Sequence, residues 1–424
     1  MRIYTQSETE SSAVFGRVYE ESDVRSLVGE IIRDVAENGD KALFHYAKLF
    51  DRAELASLEV PQSELETALE ETPKELLSTM QTAAENIRAF HRMQVRQGFR
   101  IQKPDGSYLG QKITPIERVG LYIPGGTASY PSTVLMNAIP AKIAGCAQIV
   151  MVSPPSKHGK IASPILAAAK LAGVDRVFQV GGAQAIAALA YGTETIPKVD
   201  KIVGPGNAYV AEAKRQVFGL VSIDMIAGPS EILIIADESA NPAFLAADLL
   251  SQAEHDALAS AILITPSLAL AGRVSEEVER QLKLLPREEI ARASIEKNGK
   301  ILITGDLLSA VALSNRLAPE HLELCISNPE ALLEQVTNAG SVFLGGSCPE
   351  ALGDYLAGPN HTLPTGGTAR FSSPLGVDDF IKKTQYTFFT QEALAGLSDQ
   401  IAVFARAEGL EAHARAALIR KEAR

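Results

Sequence analysis

The fold of this chain is constrained most by a regular alternation of short apolar runs and alanine-rich stretches between about residue 115 and residue 345. Runs of five to seven residues are long enough for buried strands, and the stretches between them have helical spacing. This alternation is typical of βαβ units that build a parallel sheet. The predicted strands are VGLYI, QIVMVS, RVFQV and DKIVG, followed after Gly228-Pro229 by EILIIAD, SAILIT, KILITG, HLELCI and SVFLG. We therefore predict an α/β fold with two tandem doubly wound, incomplete Rossmann-like domains.

The flanking regions have different patterns. Apolar residues recur at helical spacing through the first 94 residues, and residues 97–114 alternate around Asp105-Gly106, a pair suited to a tight hairpin turn. From about residue 379 the pattern returns to helix. A chain of 424 residues also exceeds what one hydrophobic core usually supports. The predicted regions are N-terminal helices with a β-hairpin (1–114), a first Rossmann-like domain (115–228), a second (229–370) and a C-terminal helical tail (371–424).

Composition excludes several classes of protein. The net charge of -11 argues against a nucleic-acid partner, because such proteins concentrate lysine and arginine. No run of about 18 apolar residues is present, and the first residues lack the apolar core of a signal peptide, so we expect a cytoplasmic protein without a membrane partner. The three cysteines have no CxxC spacing, so any metal would be bound by histidine, carboxylate and amide groups.

Two separated segments, SQAEHD and APEHLEL, carry residues that can bind a metal or move a proton. Gln252 and His255 are three apart near the end of a predicted helix, so both project from the same side. Glu320 and His321 are adjacent where the chain enters a strand, and a carboxylate there can orient the imidazole or activate a water. Structural roles remain open for both pairs. Gln252 and His255 could hydrogen-bond to the last carbonyls of the helix, and Glu320 and His321 could be a surface pair at the entrance of a strand.

Two further segments, GDYLAGPNHTLPT and AEGLEAH, complete this group. Asp354 and His361 lie in or beside a glycine- and proline-rich stretch that is typical of a loop, although either could cap a turn. Glu408 and His413 are five apart, so they reach one site only if Gly409 interrupts the helix. The alternative is that both residues are solvated side chains of the C-terminal tail.

Counting ligands favours zinc, because one amide oxygen, two imidazoles and one carboxylate form a set that this ion accepts. Four protein ligands would normally form a closed structural site. A role in catalysis or substrate binding therefore requires the coordination shell to admit substrate atoms.

A nucleotide site is indicated by two glycine turns, Gly181-Gly182-Ala183-Gln184 and Gly204-Pro205-Gly206-Asn207. Each follows a predicted strand and precedes a predicted helix, where a doubly wound fold presents backbone N–H groups to phosphate. The GxGxxG fingerprint is missing, and glycine also serves turn geometry alone. Spacing alone therefore leaves open whether these turns bind phosphate or use glycine only for their backbone geometry.

Longer motifs resemble those of the bacterial histidinol dehydrogenase family over nearly the whole chain. The most specific is the span from IDMIAGPSE to SQAEHD. The others are RVGLYIPGGTASYPSTVLMNAIPAKIAGC, VGGAQAIAALAYGTETIPKVDKIVGPGNAYVAEAKRQVFG, APEHLEL, SVFLG and GPNHTLPTGGTARFSSPLGVDDF.

The resemblance implies roles for individual residues. Zinc would be held by Gln252, His255, Asp354 and His413, with substrate nitrogens completing the shell. Glu320 and His321 would be the catalytic residues. The implied substrate-binding residues are Ser230, Gln252, His255, His321, Asp354, Glu408 and His413, with His361 a further candidate nearby. The implied NAD-binding residues are Tyr122, Gln184 and Asn207.

The resemblance also implies an activity and an assembly. A homodimer would oxidise L-histidinol through L-histidinaldehyde to L-histidine with two NAD, and the C-terminal segment would complete the site of the partner subunit. The alternatives are a related zinc-dependent dehydrogenase of another small amino alcohol or polyol, a zinc hydrolase, and a binding protein without catalytic activity.

Overall fold

A computed structural model describes residues 1–8, 12–15, 24–125 and 129–422. The chain forms two compact units, one of Met1–Gln94 with Ile116–Phe380 and the other of Val95–Pro115 with Ile381–Arg424. The residues at 126–128, which belong to one of the family motifs, lie outside the described part.

The strands are β1 (Arg2–Tyr4), β2 (Glu59–Val60), β3 (Phe99–Gln102), β4 (Tyr108–Pro115), β5 (Arg118–Tyr122), β6 (Gln148–Val152), β7 (Arg176–Phe178), β8 (Lys201–Val203), β9 (Ser222–Ile223), β10 (Glu231–Ala236), β11 (Ser260–Thr265), β12 (Lys300–Ile303), β13 (His321–Cys325), β14 (Ser341–Leu344) and β15 (Ile381–Phe388). All nine strands predicted from the apolar runs are present.

The α-helices are α1 (Ser12–Phe15), α2 (Arg25–Asn38), α3 (Asp40–Tyr46), α4 (Gln62–Glu71), α5 (Lys74–Arg92), α6 (Pro131–Ala144), α7 (Ser163–Ala172), α8 (Gly182–Tyr191), α9 (Ala208–Val217), α10 (Pro242–Ala253), α11 (Leu268–Leu282), α12 (Glu288–Asn298), α13 (Leu307–Leu317), α14 (Glu330–Leu333), α15 (Glu350–Tyr355), α16 (Gln391–Ala407) and α17 (Glu411–Glu422). A π-helical turn, Ala47–Asp51, follows α3 directly.

The first sheet has the order β2-β7-β6-β5-β8-β9 within the described residues. Its strands pair in parallel except β2, which runs antiparallel to β7 at the edge. The chain moves outward from β5 through β6 to β7, and then returns to place β8 on the other side of β5. This reversal creates a crevice beyond the carboxyl ends of β5 and β8, where doubly wound folds bind ligands.

The second sheet is parallel throughout, with the order β1-β12-β11-β10-β13-β14. Its reversal lies between β10 and β13. Every residue of β10 and β13 is buried, which explains why these strands appear in the sequence as almost continuous apolar runs. Helices cover both faces of each sheet, and the parallel α/β expectation is confirmed.

The second unit contains an antiparallel sheet of order β15-β4-β3 and the helices α16 and α17. The hairpin prediction is confirmed, since Asp105 Oδ1 accepts a hydrogen bond from the Ser107 amide (2.8 Å) and Gly106 has a φ of 84°. The expectation of helix from about residue 379 is wrong for Ile381–Phe388. These residues pair with β4 along its whole length, so tertiary pairing decides their conformation.

The N-terminal region also differs in part from its prediction. Helices α2 to α5 are present as expected, but β1 and β2 extend the second and first sheets at their edges. Strands of two or three residues carry too little periodicity to be recognised in a sequence. Within the described residues, no helix is long and apolar enough to span a membrane.

The turn after β8 is held by a buried ion pair. Asp224 accepts a hydrogen bond from the Gly204 amide (2.8 Å), and Lys214 donates one to the Gly204 carbonyl (3.0 Å) while pairing with Asp224. Gly204 has a φ of 118°, and a Cβ there would lie 2.1 Å from the carbonyl oxygen of Tyr122. The turn therefore depends on glycine for both backbone angle and space.

We expect Gly204→Ala to lower the free energy of unfolding by about 3 kcal/mol or more, because backbone strain adds to steric overlap. Gly219→Ala is the matched control: its φ is 101°, and no atom of the described residues lies within 4 Å of the added Cβ. That change should cost only about 1–2 kcal/mol. Denaturant unfolding measures the free energy of unfolding of both variants. Equal losses would show that the backbone shifts to relieve the overlap between the Cβ added at Gly204 and the Tyr122 carbonyl oxygen.

Candidate active site

The predicted catalytic residues lie at the amino edge of the second sheet. Glu320 precedes β13, His321 is its first residue, and His321 pairs with Ile232 near the start of β10. Ser230 immediately precedes β10, and its carbonyl accepts a hydrogen bond from Ser260 (2.9 Å). Because these strands are parallel, their starts meet at one edge.

The backbone of Glu231 orients both predicted catalytic side chains. Its amide donates to Glu320 Oε2 (2.9 Å), and its carbonyl lies 3.0 Å from His321 Nδ1. A carbonyl only accepts, so Nδ1 carries the proton and a neutral His321 presents an unprotonated Nε2. That buried Nε2 has no hydrogen-bond partner within the described residues, so it can accept a proton whenever the ring is neutral, and the raised pKa of His321 makes the neutral ring a strong base.

Asp354 and His361 lie on the other side of His321. Asp354 Oδ1 is 3.8 Å from His321 Nε2 and also 3.8 Å from His361 Nδ1. The Nδ1 atom of His361 lies 3.0 Å from the Asp354 carbonyl, which fixes the ring beside the aspartate. The structure thus brings Glu320, His321, Asp354 and His361 together.

Gln252 and His255 lie at the end of α10 and in the loop that follows. Gln252 is buried, and His255 is exposed and donates its backbone amide to the Gln252 carbonyl (3.1 Å). Ser251 connects this helix end to α15, because its hydroxyl donates to Glu350 Oε2 (2.9 Å). Glu350 and Asp354 are four residues apart on α15, so they share a face.

Burial and mutual charge dominate the electrostatics of this cluster. Burial raises the pKa of Glu320 to about 8, although the charge of His321 opposes the shift. Burial by itself would lower the pKa of His321, but the charges of Glu320, Glu350 and Asp354 outweigh it and raise that pKa. Burial also tends to raise the pKa of Asp354, but His321 and His361 lower it to about 2. Asp354 is therefore an anion at neutral pH.

The donor atoms are suited to a metal. His321, Glu350 and Asp354 offer ligand atoms within 4.8 Å of one another. The buried Nε2 of Gln252 has no hydrogen-bond partner among the described residues, and because amide N and O are interchangeable in such an assignment, a ligating oxygen fits there equally. A carboxylate, an imidazole and an amide oxygen are donors that zinc accepts.

Glu408 and His413, the remaining predicted substrate and metal residues, belong to the second unit. Both are exposed and line an open groove of about 390 Å³ between α16 and α17, beside the apolar side chains of Ile401 and Phe404. Gly409 has a φ of 77° and separates the two helices, as their spacing required.

The predicted NAD-binding residues lie at the carboxyl edge of the first sheet. Tyr122 ends β5 and is buried, and its hydroxyl accepts a hydrogen bond from the Gly182 amide (3.2 Å). Gln184 lies in the first turn of α8. Asn207 caps α9, with Oδ1 accepting from the amides of Tyr209 and Val210. These positions surround the crevice that the strand order creates.

Three acids behind the site escaped prediction: the half-buried Asp248 and the buried Glu323 and Glu350. Their pKa values are raised, chiefly by burial, to about 6, 8 and 7 respectively. Glu323 Oε1 accepts a hydrogen bond from the Glu350 amide (2.8 Å). The one available signal was Glu323 itself, a charged residue inside the apolar run HLELCI.

Comparisons with known proteins identify the family. The sequence model of the histidinol dehydrogenase family matches residues 17–421. The chain belongs to the histidinol dehydrogenase family. It is 53% identical to histidinol dehydrogenase of Syntrophotalea carbinolica, with 99% of each chain covered, and 56% identical to that of Halalkalibacterium halodurans, with 94% of each covered.

The fold of a solved family member is also shared. The crystal structure of histidinol dehydrogenase from Elizabethkingia anophelis has a TM-score of 0.95 and 41% identity, covering 100% of this chain and 98% of that chain. The family resemblance drawn from the sequence motifs is therefore confirmed.

The buried Glu323 yields a test based on pH. Its folded-state pKa of about 8 exceeds an unfolded value of about 4.3, so the folded protein retains a proton that the unfolded chain releases between these pH values. The wild type therefore loses stability as pH rises through this window. Glu323→Gln cannot ionise, and should be more stable than the wild type at pH 8 by on the order of 3 kcal/mol, with no advantage at pH 4.

Denaturant unfolding of metal-free protein at several pH values measures this difference. Glu334→Gln, at an exposed position, is the control and should show no pH-dependent gain. A Glu323→Gln variant that is less stable at pH 8 would contradict a neutral, buried carboxyl group.

Proposed function

We propose that this chain catalyses the NAD-dependent oxidation of L-histidinol through L-histidinaldehyde to L-histidine, a step of amino-acid biosynthesis that we place in the cytoplasm. The observation that carries the proposal is the orientation of His321 by the Glu231 carbonyl, which leaves a buried Nε2 as a proton acceptor. Glu320, which can act as a second base, lies directly beside this ring. Membership in the histidinol dehydrogenase family supplies the substrate.

His321 is assigned as the base in both oxidations. Its Nε2 accepts the hydroxyl proton of the alcohol while the carbon gives up its hydrogen with two electrons, and the product is the aldehyde. NAD supplies the acceptor for those electrons when it is bound. The fixed tautomer supports this assignment, because no ring rotation is needed before proton transfer.

Glu320 is assigned to the water that converts the aldehyde into its hydrate. In ionised Glu320 one carboxylate oxygen is held by the Glu231 amide, so the other can take a proton from a bound water as it attacks the carbonyl carbon, and the pKa of about 8 makes this carboxylate a stronger base than an ordinary one. Once the proton from the first oxidation has passed to solvent, His321 accepts a proton from the hydrate during the second oxidation, which yields the carboxylic acid. The adjacency of the two bases supports this division of roles.

We propose zinc as the metal and Gln252, His255, Asp354 and His413 as its ligands. The unpartnered amide of Gln252 and the anionic Asp354 support this set. When bound, zinc supplies an anchor for the nitrogen donors of the substrate, which orients the alcohol toward the base. Ser230, His361 and Glu408 are proposed to contact the substrate, of which His361 lies beside Asp354.

Tyr122, Gln184 and Asn207 are proposed to bind NAD. Their positions at the carboxyl edge of the first sheet support this role, because the amino end of a helix and the crevice at a strand reversal both favour a dinucleotide.

A homodimer with shared sites is also proposed, in which Glu408 and His413 act in the site of the partner subunit. The apolar groove that these residues line supports an interface, since it places exposed Phe404 and Ile401 beside two polar residues that have substrate-binding and metal roles in the proposal. The groove belongs to the unit that holds the two C-terminal helices.

We expect the zinc-loaded protein to reduce about two NAD for each L-histidinol consumed. The measurement is NADH absorbance with limiting histidinol, compared with simple amino alcohols and polyols. Turnover of another alcohol with none on histidinol would assign the chain to a related dehydrogenase. Failure of NAD to support any turnover would favour a zinc hydrolase.

Glu320→Gln should separate the two oxidations. Loss of a positioned base slows its own step about 100-fold or more, so we expect aldehyde oxidation to fall by that factor and alcohol oxidation by much less. Single-turnover rates with histidinol and with histidinaldehyde measure the two steps, and Glu334→Gln is the exposed control. Equal losses in both steps would refute the assigned role of Glu320.

A further inference from the structure

Asp51 lies close enough to Tyr122 for its charge to act on that side chain, and the Tyr122 hydroxyl accepts a hydrogen bond from Gly182 at the amino end of α8. The α3 helix begins beside the far end of α8, where the Asp40 amide donates to Glu194 (2.8 Å) and Asp40 accepts from the Thr195 amide (3.3 Å). From Asp40 the helical chain advances about 17 Å to Asp51, roughly the length of α8.

The chain beyond Asp51 fixes the same location from the other direction. The Gln179 amide, three residues before α8, donates to the Leu58 carbonyl (2.9 Å). Residues 40 and 58 are therefore held beside opposite ends of α8, and Leu58 packs in the same apolar cluster as Tyr122 and Ala183. These tethers and the effect of the Asp51 charge on Tyr122 favour a position of Asp51 near Gly182.

The side chain of Asp51 is half-buried, and one of its carboxylate oxygens has no hydrogen-bond partner in the described part of the chain. Its Oδ2 is inaccessible to solvent and accepts no hydrogen bond from any described residue. Burial raises the pKa of Asp51 to about 6, so the group is still largely ionised at neutral pH. Burial raises the pKa of Tyr122 to about 12, and the nearby charge of Asp51 adds to that shift. An unpaired buried carboxylate oxygen is costly for folding alone, which points to a ligand.

Two other polar groups converge on this position. Tyr122 accepts the Gly182 amide hydrogen bond, and the buried side chain of Gln184 folds back so that its Oε1 lies 2.7 Å from where a Gly182 Cβ would be. That side chain forms no hydrogen bond within the described residues. The first hydrogen bond inside α8 is donated by Ala185 to Gly181, so the amides of Ala183 and Gln184 have no partner within the helix and can face a phosphate.

We propose that Asp51 accepts hydrogen bonds from a ribose diol of the bound dinucleotide and makes the enzyme select NAD over NADP. This inference rests on the proposed NAD-dependent function. A carboxylate pairs with two adjacent hydroxyls and repels a 2′-phosphate, which is how acidic residues distinguish the two cofactors in doubly wound folds. Asp51 differs from the usual acid because it comes from a π-helical turn that precedes the sheet in sequence.

The rival explanation is structural: the negative charge stabilises the amino end of α8 and never meets the cofactor. The two explanations differ in what Asp51→Asn does. The structural role predicts a lower melting temperature with unchanged cofactor binding. The proposed role predicts weaker cofactor binding in a protein that remains folded, because removing a buried charge relieves its desolvation.

The experiment titrates NADH and NADPH into the zinc-loaded protein by fluorescence, for the wild type, Asp51→Asn and Asp51→Ser. Glu54→Gln is the control, an exposed carboxylate three residues away that pairs with Lys48. We expect the Kd for NADH to rise about tenfold or more in both Asp51 variants, and the preference for NADH over NADPH to fall by a similar factor. Steady-state kinetics should show a raised KM for NAD with the KM for histidinol unchanged.

Unchanged NADH affinity in folded Asp51→Asn, or an unaltered preference over NADPH, would overturn the inference. If neither Asp51 variant folds, Asp51→Glu in the same titration decides, since a longer carboxylate keeps the charge and should weaken NADH binding while still rejecting NADPH. Equilibrium binding is independent of turnover. A wild type that binds NADH but does not oxidise histidinol would therefore refute the proposed function. The titration would still decide the role of Asp51, because it measures cofactor binding only.

Discussion

The candidate active site depends on the parallel pairing of β13 with β10, because the Glu231 backbone at the start of β10 orients both Glu320 and His321. Side chains alternate between the faces of a strand, so a one-residue slip would turn each side chain of β13, including His321, to the opposite face of the sheet. The apolar residues of both strands, all buried, oppose such a slip. The same interactions that form the core of the second sheet therefore also set the tautomer of His321.

The two sheets use opposite edges for their functional residues. In the first sheet the proposed NAD-binding residues lie at the carboxyl edge, as doubly wound folds predict, whereas in the second sheet Glu320 and His321 lie at the amino edge. Residues 224–230 connect the end of β9 with the start of β10, a span of at most about 25 Å. Chain connectivity alone therefore keeps the carboxyl end of β9 in the first sheet within that distance of the amino end of β10, where the proposed bases lie.

Most of the fold could be predicted, because buried parallel strands such as EILIIAD and HLELCI leave continuous apolar runs between helical stretches. The strand β15 could not, since its conformation comes from pairing with β4, which is remote in sequence. The Glu320–His321 pair was predicted from adjacency, but the role of Glu231 was not, because it acts through backbone atoms. Glu350 and Asp51 were missed for a related reason: their burial depends on contacts that no local pattern encodes, whereas Glu323 had left a signal as a charged residue within an apolar run.

The central claim is that His321 Nε2 is the base that meets the substrate while the metal ligands hold it. A crystal structure of the zinc-loaded dimer with L-histidinol tests this most directly. The account predicts the substrate hydroxyl within about 3 Å of His321 Nε2, with Gln252, His255 and Asp354 of one subunit and His413 of the partner subunit bound to zinc. A hydroxyl bound away from His321, or a zinc site that excludes Gln252 and Asp354, would contradict it.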